Sequence, residues 1–217
     1  PLHGVPLTVK ENIDLFGTPT TDGVAAFAEL MPALDAPVVQ RLVAAGAIPF
    51  ARTNLPELGL RLDTDNPLRG RTANPWDHTR TPGGSSGGEG AALSSGMSVL
   101  GLGNDIGGSL RNPSFCCGVV GFRPTMGRVP TAASAGPPDG ALCGQLMATE
   151  GAMGRRVADV RLATTLLNGA HPRDPFSVDV AFERPAPPRR TAAVVVPAPG
   201  ERWSSAVAAG VRAAADA

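Results

Sequence analysis

Apolar residues in the 217-residue chain recur at two periods, and each period predicts its own elements. Val5, Leu7 and Val9 stand at every second position ahead of Lys10, which predicts a strand over residues 5–10. Helical spacing follows. Val38, Val39, Leu42 and Val43 form one apolar face, with Asp35 placed to cap it, Pro37 in the first turn and Gly46 at the end. Residues 48–52 read as the next strand. A helix of small residues is expected over 88–95, leading into a buried strand from Met97 to Leu102. Val157, Val160, Ala163, Thr164 and Leu167 return to helical spacing before the stop at Asn168-Gly169. The proline-rich FERPAPPRR, residues 182–190, connects to a last predicted strand over 191–196. Strands alternating with helices in this way predict an α/β fold.

Glycine and serine break the pattern where chemistry is expected. PGGSSGGEG and LGLGNDIGGSLR place Ser85 and Ser109, both next to glycine, at the two ends of one block. Far upstream stands Lys10, the single lysine among 19 basic residues. Arginine stays charged at any ordinary pH, whereas a buried lysine can lose its proton. An apolar strand ending in Lys10 carries that amine into low-dielectric surroundings. In DIGGS, residues without Cβ let backbone N–H groups converge on one point, as stabilisation of an oxyanion requires.

Three stretches, GVPLTVKENID, RTPGGSSGGEGAA and GLGNDIGGSLRNPSFCCGVVGFRPTMGRVP, together resemble the amidase signature family. The likeness continues through EGAMGRRVADVRLATTLLNG, which looks like the family's helix after the core block. The resemblance implies the amidase signature fold, a mixed β-sheet core with helices on both faces. It also implies hydrolysis of the C–N bond of a carboxylic amide through a serine acyl-enzyme. By the resemblance Ser109 is the nucleophile, Ser85 the bridging serine behind a cis Gly84–Ser85 peptide, and Lys10 the base. The oxyanion hole falls on the backbone of Ile106, Gly107, Gly108 and Ser109, and Asp105 and Arg111 help to hold that loop. The residue types suit these roles: serine needs an adjacent base, and a hydroxyl both accepts and donates, so Ser85 can pass a proton from Ser109 to Lys10. Ser86 is expected as a hydrogen-bonding support. Family domains are considerably longer, so residues 1–217 are expected to be a single amidase domain incomplete at both ends, lacking the N-terminal helices and most of the C-terminal half.

Other readings compete with this one. The same core occurs in the glutaminyl-tRNA amidotransferase A-like subunit. Gly84-Ser85-Ser86-Gly87-Gly88 matches the G-x-S-x-G nucleophile elbow with Ser86 at its centre and His171 as the only downstream histidine. That motif needs a strand directly before it, and NPWDHTRTP is rich in turn formers. Gly101-Leu102-Gly103 hints at a nucleotide-binding α/β domain without hydrolase activity, but the glycine spacing is off and no acidic residue follows between Asp105 and Asp139 to hold a ribose.

Nineteen acidic residues balance the nineteen basic ones, which gives no electrostatic case for nucleic acid or a membrane surface. Three cysteines, two of them the neighbours Cys116 and Cys117, do not make a disulfide framework and suit a reducing cytoplasm. No cysteine or histidine spacing suggests a metal, and no cofactor is expected. The expected partner is a small-molecule amide, with a homodimer left open for the full-length protein.

Overall fold

The computed structural model describes residues 1–136, 141–181 and 201–216. The chain divides into two compact units, Pro1–Phe182 and Glu183–Ala217. The second contains helix Ser205–Ala215, capped by Ser204, whose hydroxyl accepts from the N–H of Val207 at 3.3 Å. The predicted connection over 182–190 and strand over 191–196 lie outside the described residues.

The first unit is built on a five-stranded mixed sheet. In chain order the strands and helices are β1 (Pro6–Lys10), α1 (Pro37–Ala44), β2 (Ile48–Thr53), the short pair β3 (Asp65–Asn66) and β4 (Gly70–Arg71), and α2 (Gly87–Ser94). There follow β5 (Leu100–Asp105), α3 (Arg111–Cys117), β6 (Val120–Gly121), α4 (Leu142–Met147), β7 (Thr149–Gly154) and α5 (Val157–Leu167). The sheet order is β2-β1-β5-β7-β6, with β3 and β4 forming a separate ribbon. β1 pairs in parallel with both β2 and β5, while β7 runs antiparallel to β5 and β6. β2 lies at the edge of the sheet, where Pro49, which has no N–H to donate, is tolerated because the open side of the strand needs no donor.

Alternation along the strands sorts side chains to two helical layers. Leu7 and Val9 of β1, Leu100 and Leu102 of β5 and Ala152 of β7 pack with Val38, Val39 and Leu42 of α1 and Val160, Ala163 and Leu167 of α5. Met153 points the other way, into a small cluster with Leu93 of α2 and Leu110. Thr8 and Lys10, on the second face of β1, meet α2. The helices therefore flank the sheet on both faces, as expected.

Several local expectations shift. Ala36, not Asp35, occupies the N-cap of α1; the Asp35 carboxylate instead accepts the N–H of Phe16 at 2.7 Å. Val43 is exposed rather than on the packed face. The strand expected from Met97 begins at Leu100, because Gly96 turns with φ 81° and the N–H of Met97 is taken by the Ala92 carbonyl at 2.9 Å, closing the end of α2. EGAMG, grouped with the following helix by resemblance, is most of β7, and α5 starts only at Val157. β7 is buried at all six positions, so no alternation marks it.

Candidate active site

β1 and β5 run parallel, and their carboxyl ends bring Lys10 beside Asn104. Ligand sites in open α/β sheets form at such ends. Lys10 has no exposed surface. Its Nζ donates to Ser85 Oγ at 2.7 Å and to Asn104 Oδ1 at 2.6 Å. Asn104 Nδ2 in turn donates to Asn12 Oδ1 at 2.9 Å. Burial lowers the Lys10 amine to about 7, against the opposing pull of Asp22, Glu89, Asp105 and Glu150. A buried ammonium loses its hydration, and the neutral form gains by default.

Ser85 is fixed from the other side by the turn into α2. The Gly84–Ser85 peptide is cis, as the resemblance implied. Close quarters exclude any side chain at Gly84, where a Cβ would lie 2.6 Å from the carbonyl oxygen of Arg61. Ser86, fully buried, donates its N–H to the Ser109 carbonyl at 3.2 Å and its hydroxyl to the Asn104 carbonyl at 3.4 Å. It ties the two serine segments to β5 and follows a loop rather than a strand. His171, its partner in the elbow reading, accepts the N–H of Arg173 on Nδ1 at 3.2 Å.

Between β5 and α3 the chain turns around one carboxylate. Asp105, whose side chain is fully buried, accepts from the N–H groups of Gly108 at 2.7 Å and Leu110 at 3.0 Å, and from Arg111 Nε at 3.0 Å and Nη2 at 2.9 Å. Burial alone would raise its pKa, but the hydrogen bonds from Arg111, Leu110 and Gly108 prevail and bring it down to about 2. This geometry qualifies one expectation. The Gly108 N–H, assigned to the oxyanion hole by the resemblance, is directed onto Asp105, and Gly108 itself turns with φ 128°. Ile106, Gly107 and Ser109 remain as candidate donors on that loop.

Ser85, Ser109, Asn12, Asn104, Ile106 and Gly107 line one cavity of about 490 Å³. Its other wall mixes apolar side chains with one charge: Leu58, Leu60 and Leu62 with Arg61 among them from the segment before Ser85, and Cys143 and Ala148 from around α4. A second cavity of about 500 Å³, lined by Phe50, Ala91 and Met97 among others, contains neither serine. The Cys143 thiol is exposed while Cys117 is buried, so the three cysteines do not share one environment. Asn104 and Asn12 were not singled out from the sequence. Only the position of Asn104 at the end of LGLGND, beside the lysine strand, could have pointed to it.

The Amidase family model matches residues 1–216. The chain belongs to the amidase signature family. It is similar to the indoleacetamide hydrolase of Bradyrhizobium diazoefficiens, 45% identical over 217 residues that cover 99% of this chain and 41% of that protein. It is 41% identical to a glutamyl-tRNA(Gln) amidotransferase subunit of Trichodesmium erythraeum, over 82% of this chain and 36% of that protein. Among solved structures, the peptide amidase of Stenotrophomonas maltophilia superposes with a TM-score of 0.75 at 32% identity, covering 85% of this chain and 37% of that one. The chain thus spans about two fifths of the length of the amidase relatives it matches. Among the described residues, no helix is long and apolar enough to cross a membrane.

Proposed function

We propose that this chain carries the catalytic core of an amidase that hydrolyses a linear carboxylic amide through a serine acyl-enzyme. The observation that carries the reading is the buried Lys10 amine, held at 2.7 Å from Ser85 Oγ in the cavity that Ser109 also lines. Ser109 Oγ attacks the amide carbon while Ser85 passes its proton to neutral Lys10. N–H groups at Ile106, Gly107 and Ser109 face the developing oxyanion, a contribution of about 3–4 kcal/mol per donor in comparable sites. The proton then returns to the leaving amine, and water cleaves the acyl-enzyme by the same relay. Three leucines and Ile106 on the cavity wall favour a largely hydrocarbon acyl group, such as an arylacetyl or aliphatic chain, with Arg61 the charged residue on the same lining. Residues 1–217 form part of a longer amidase domain, and the free thiols fit a cytoplasmic enzyme.

The test uses the full open reading frame. Wild type should release ammonia or amine from simple apolar amides, Ser109→Ala should abolish turnover, and a fluorophosphonate should label Ser109. Labelling of Ser86 with His171 essential would replace this reading by the elbow mechanism. Activity only within a glutamyl-tRNA amidotransferase complex would favour the amidotransferase reading, which the Trichodesmium relative supports.

A further inference from the structure

Glu89 is fully buried one helical turn beyond Ser85, and the reaction described above leaves it without a task. Its carboxyl meets two hydroxyls: Thr8 Oγ1 lies 2.6 Å from Oε2, and Thr53 Oγ1 lies 2.7 Å from Oε1. No arginine or lysine forms an ion pair with it among the described residues. Room for the carboxyl comes from Gly101, where a Cβ would stand 2.1 Å from Oε2. Thr8 shares its face of β1 with Lys10, two residues on, so the carboxyl and the amine sit against the same strand.

The hydroxyls around Glu89 accommodate either protonation state. Thr8 Oγ1 also lies 3.1 Å from Ser98 Oγ, which donates to the Leu100 carbonyl at 2.8 Å. With Glu89 ionised, the single Thr8 hydrogen turns to the carboxylate. With Glu89 protonated, its O–H donates to Thr8, Thr8 to Ser98 and Ser98 to the carbonyl, and every hydrogen keeps an acceptor. No heavy atom has to move. The other groups facing Lys10 lack this freedom. Asp105 is saturated by Arg111 and backbone N–H groups, Asp22 is bonded to Asn12, and Glu150, raised by burial to about 8, has a buried Oε2 with no hydrogen-bond donor to receive its charge among the described residues. Arg52 is the other charge near Glu89, and its guanidinium is turned to Thr18 and to the carbonyls of Lys10 and Ile13.

We propose that Glu89 is a positioning residue for the Lys10 base, a buried carboxyl whose charge, admitted by the Thr8 and Thr53 hydroxyls, sets how tightly Lys10 holds its proton. The inference rests on the amidase reading above. Burial raises Glu89 and lowers Lys10, which brings the two groups toward each other in pH, and each charge favours the other. An ionised Glu89 favours the ammonium and so opposes the base; a neutral one releases it.

Glu89→Gln keeps the shape and both hydrogen bonds, since the amide donates to Thr8 and accepts from Thr53, but it removes the charge. The acid limb of kcat/KM against pH should move down by about half a unit to one unit, with KM little changed. Thr53→Val removes one donor to the carboxylate, makes Glu89 harder to ionise, and should move the limb the same way, which decides the matter if Glu89→Gln folds poorly. A folded variant whose limb coincides with wild type overturns the inference. Failure of the amidase reading is recognised separately, because wild type would then show no Ser109-dependent hydrolysis at any pH.

Discussion

Lys10 is the residue on which the chemistry turns. Its amine has lost its water to burial and gains only two neutral acceptors, Ser85 Oγ and Asn104 Oδ1. Neutral acceptors stabilise an ammonium less than a carboxylate would, so the amine can be deprotonated near neutrality. Lys10→Arg should therefore be nearly as damaging as Lys10→Ala, with kcat/KM down at least about a hundredfold, because a guanidinium keeps its proton. The sign for pH follows from the lowered value. The base acts when neutral, so wild-type rate should fall as pH drops through about 7. Initial rates from pH 5 to 9 check this. A Lys10→Arg enzyme with near-normal rate would leave the amine a purely structural cation.

At the scale of elements, the site depends on how closely α2 can approach the sheet. Gly88 at the start of the helix gives its N–H to the Asn54 carbonyl at 3.2 Å, and a Cβ there would lie 2.4 Å from the Asn54 nitrogen. The obstacle is backbone, which cannot turn aside as a side chain end would. Gly88→Ala should push α2 off the end of β2 and cost about 1–3 kcal/mol in urea unfolding. Ser85 and Ser86 are carried by the same turn, so activity should fall further than stability alone predicts. Gly144→Ala in α4 is the control: a Cβ there meets nothing within 4 Å, and stability should hold or rise. Equal losses in the two variants would show that the close approach of α2 to Asn54 is not the cause.

At the scale of the whole molecule, β2 presents an edge with Ile48 and Phe50 each more than half exposed, beside the apolar cavity at Ala91 and Met97. An edge strand with apolar side chains is a template for pairing with another chain. Residues 1–217 expressed alone should self-associate and show no amide turnover, although Lys10, Ser85 and Ser109 are all present. Light scattering after size exclusion, with an amide assay beside the full open reading frame, tests this. A monodisperse monomer with Ser109-dependent activity would show that this part is a self-sufficient enzyme.

The sequence alone determined the strand carrying Lys10, the helices α1 and α5, and the two serine loops. Local patterns suffice there: alternation ending in a unique lysine, apolar spacing of three and four, and glycine runs that admit unusual backbone. Even β5 reads only three residues early at each end, because the turn at Gly96 has no signature stronger than the apolar Met97 that follows. Tertiary structure decided what depends on contacts between distant segments. β7 is invisible as a pattern because both of its faces are covered. Asn104 becomes the acceptor for Lys10 only when β5 lies beside β1, 94 residues away in the chain. The role of Gly108 depends on a carboxylate buried beneath its loop. Glu89 reads in the sequence as an ordinary acidic residue in the first turn of a helix. Only the sheet packed against it, closing Thr8 and Thr53 over the carboxyl and excluding water, makes its charge answerable to Lys10.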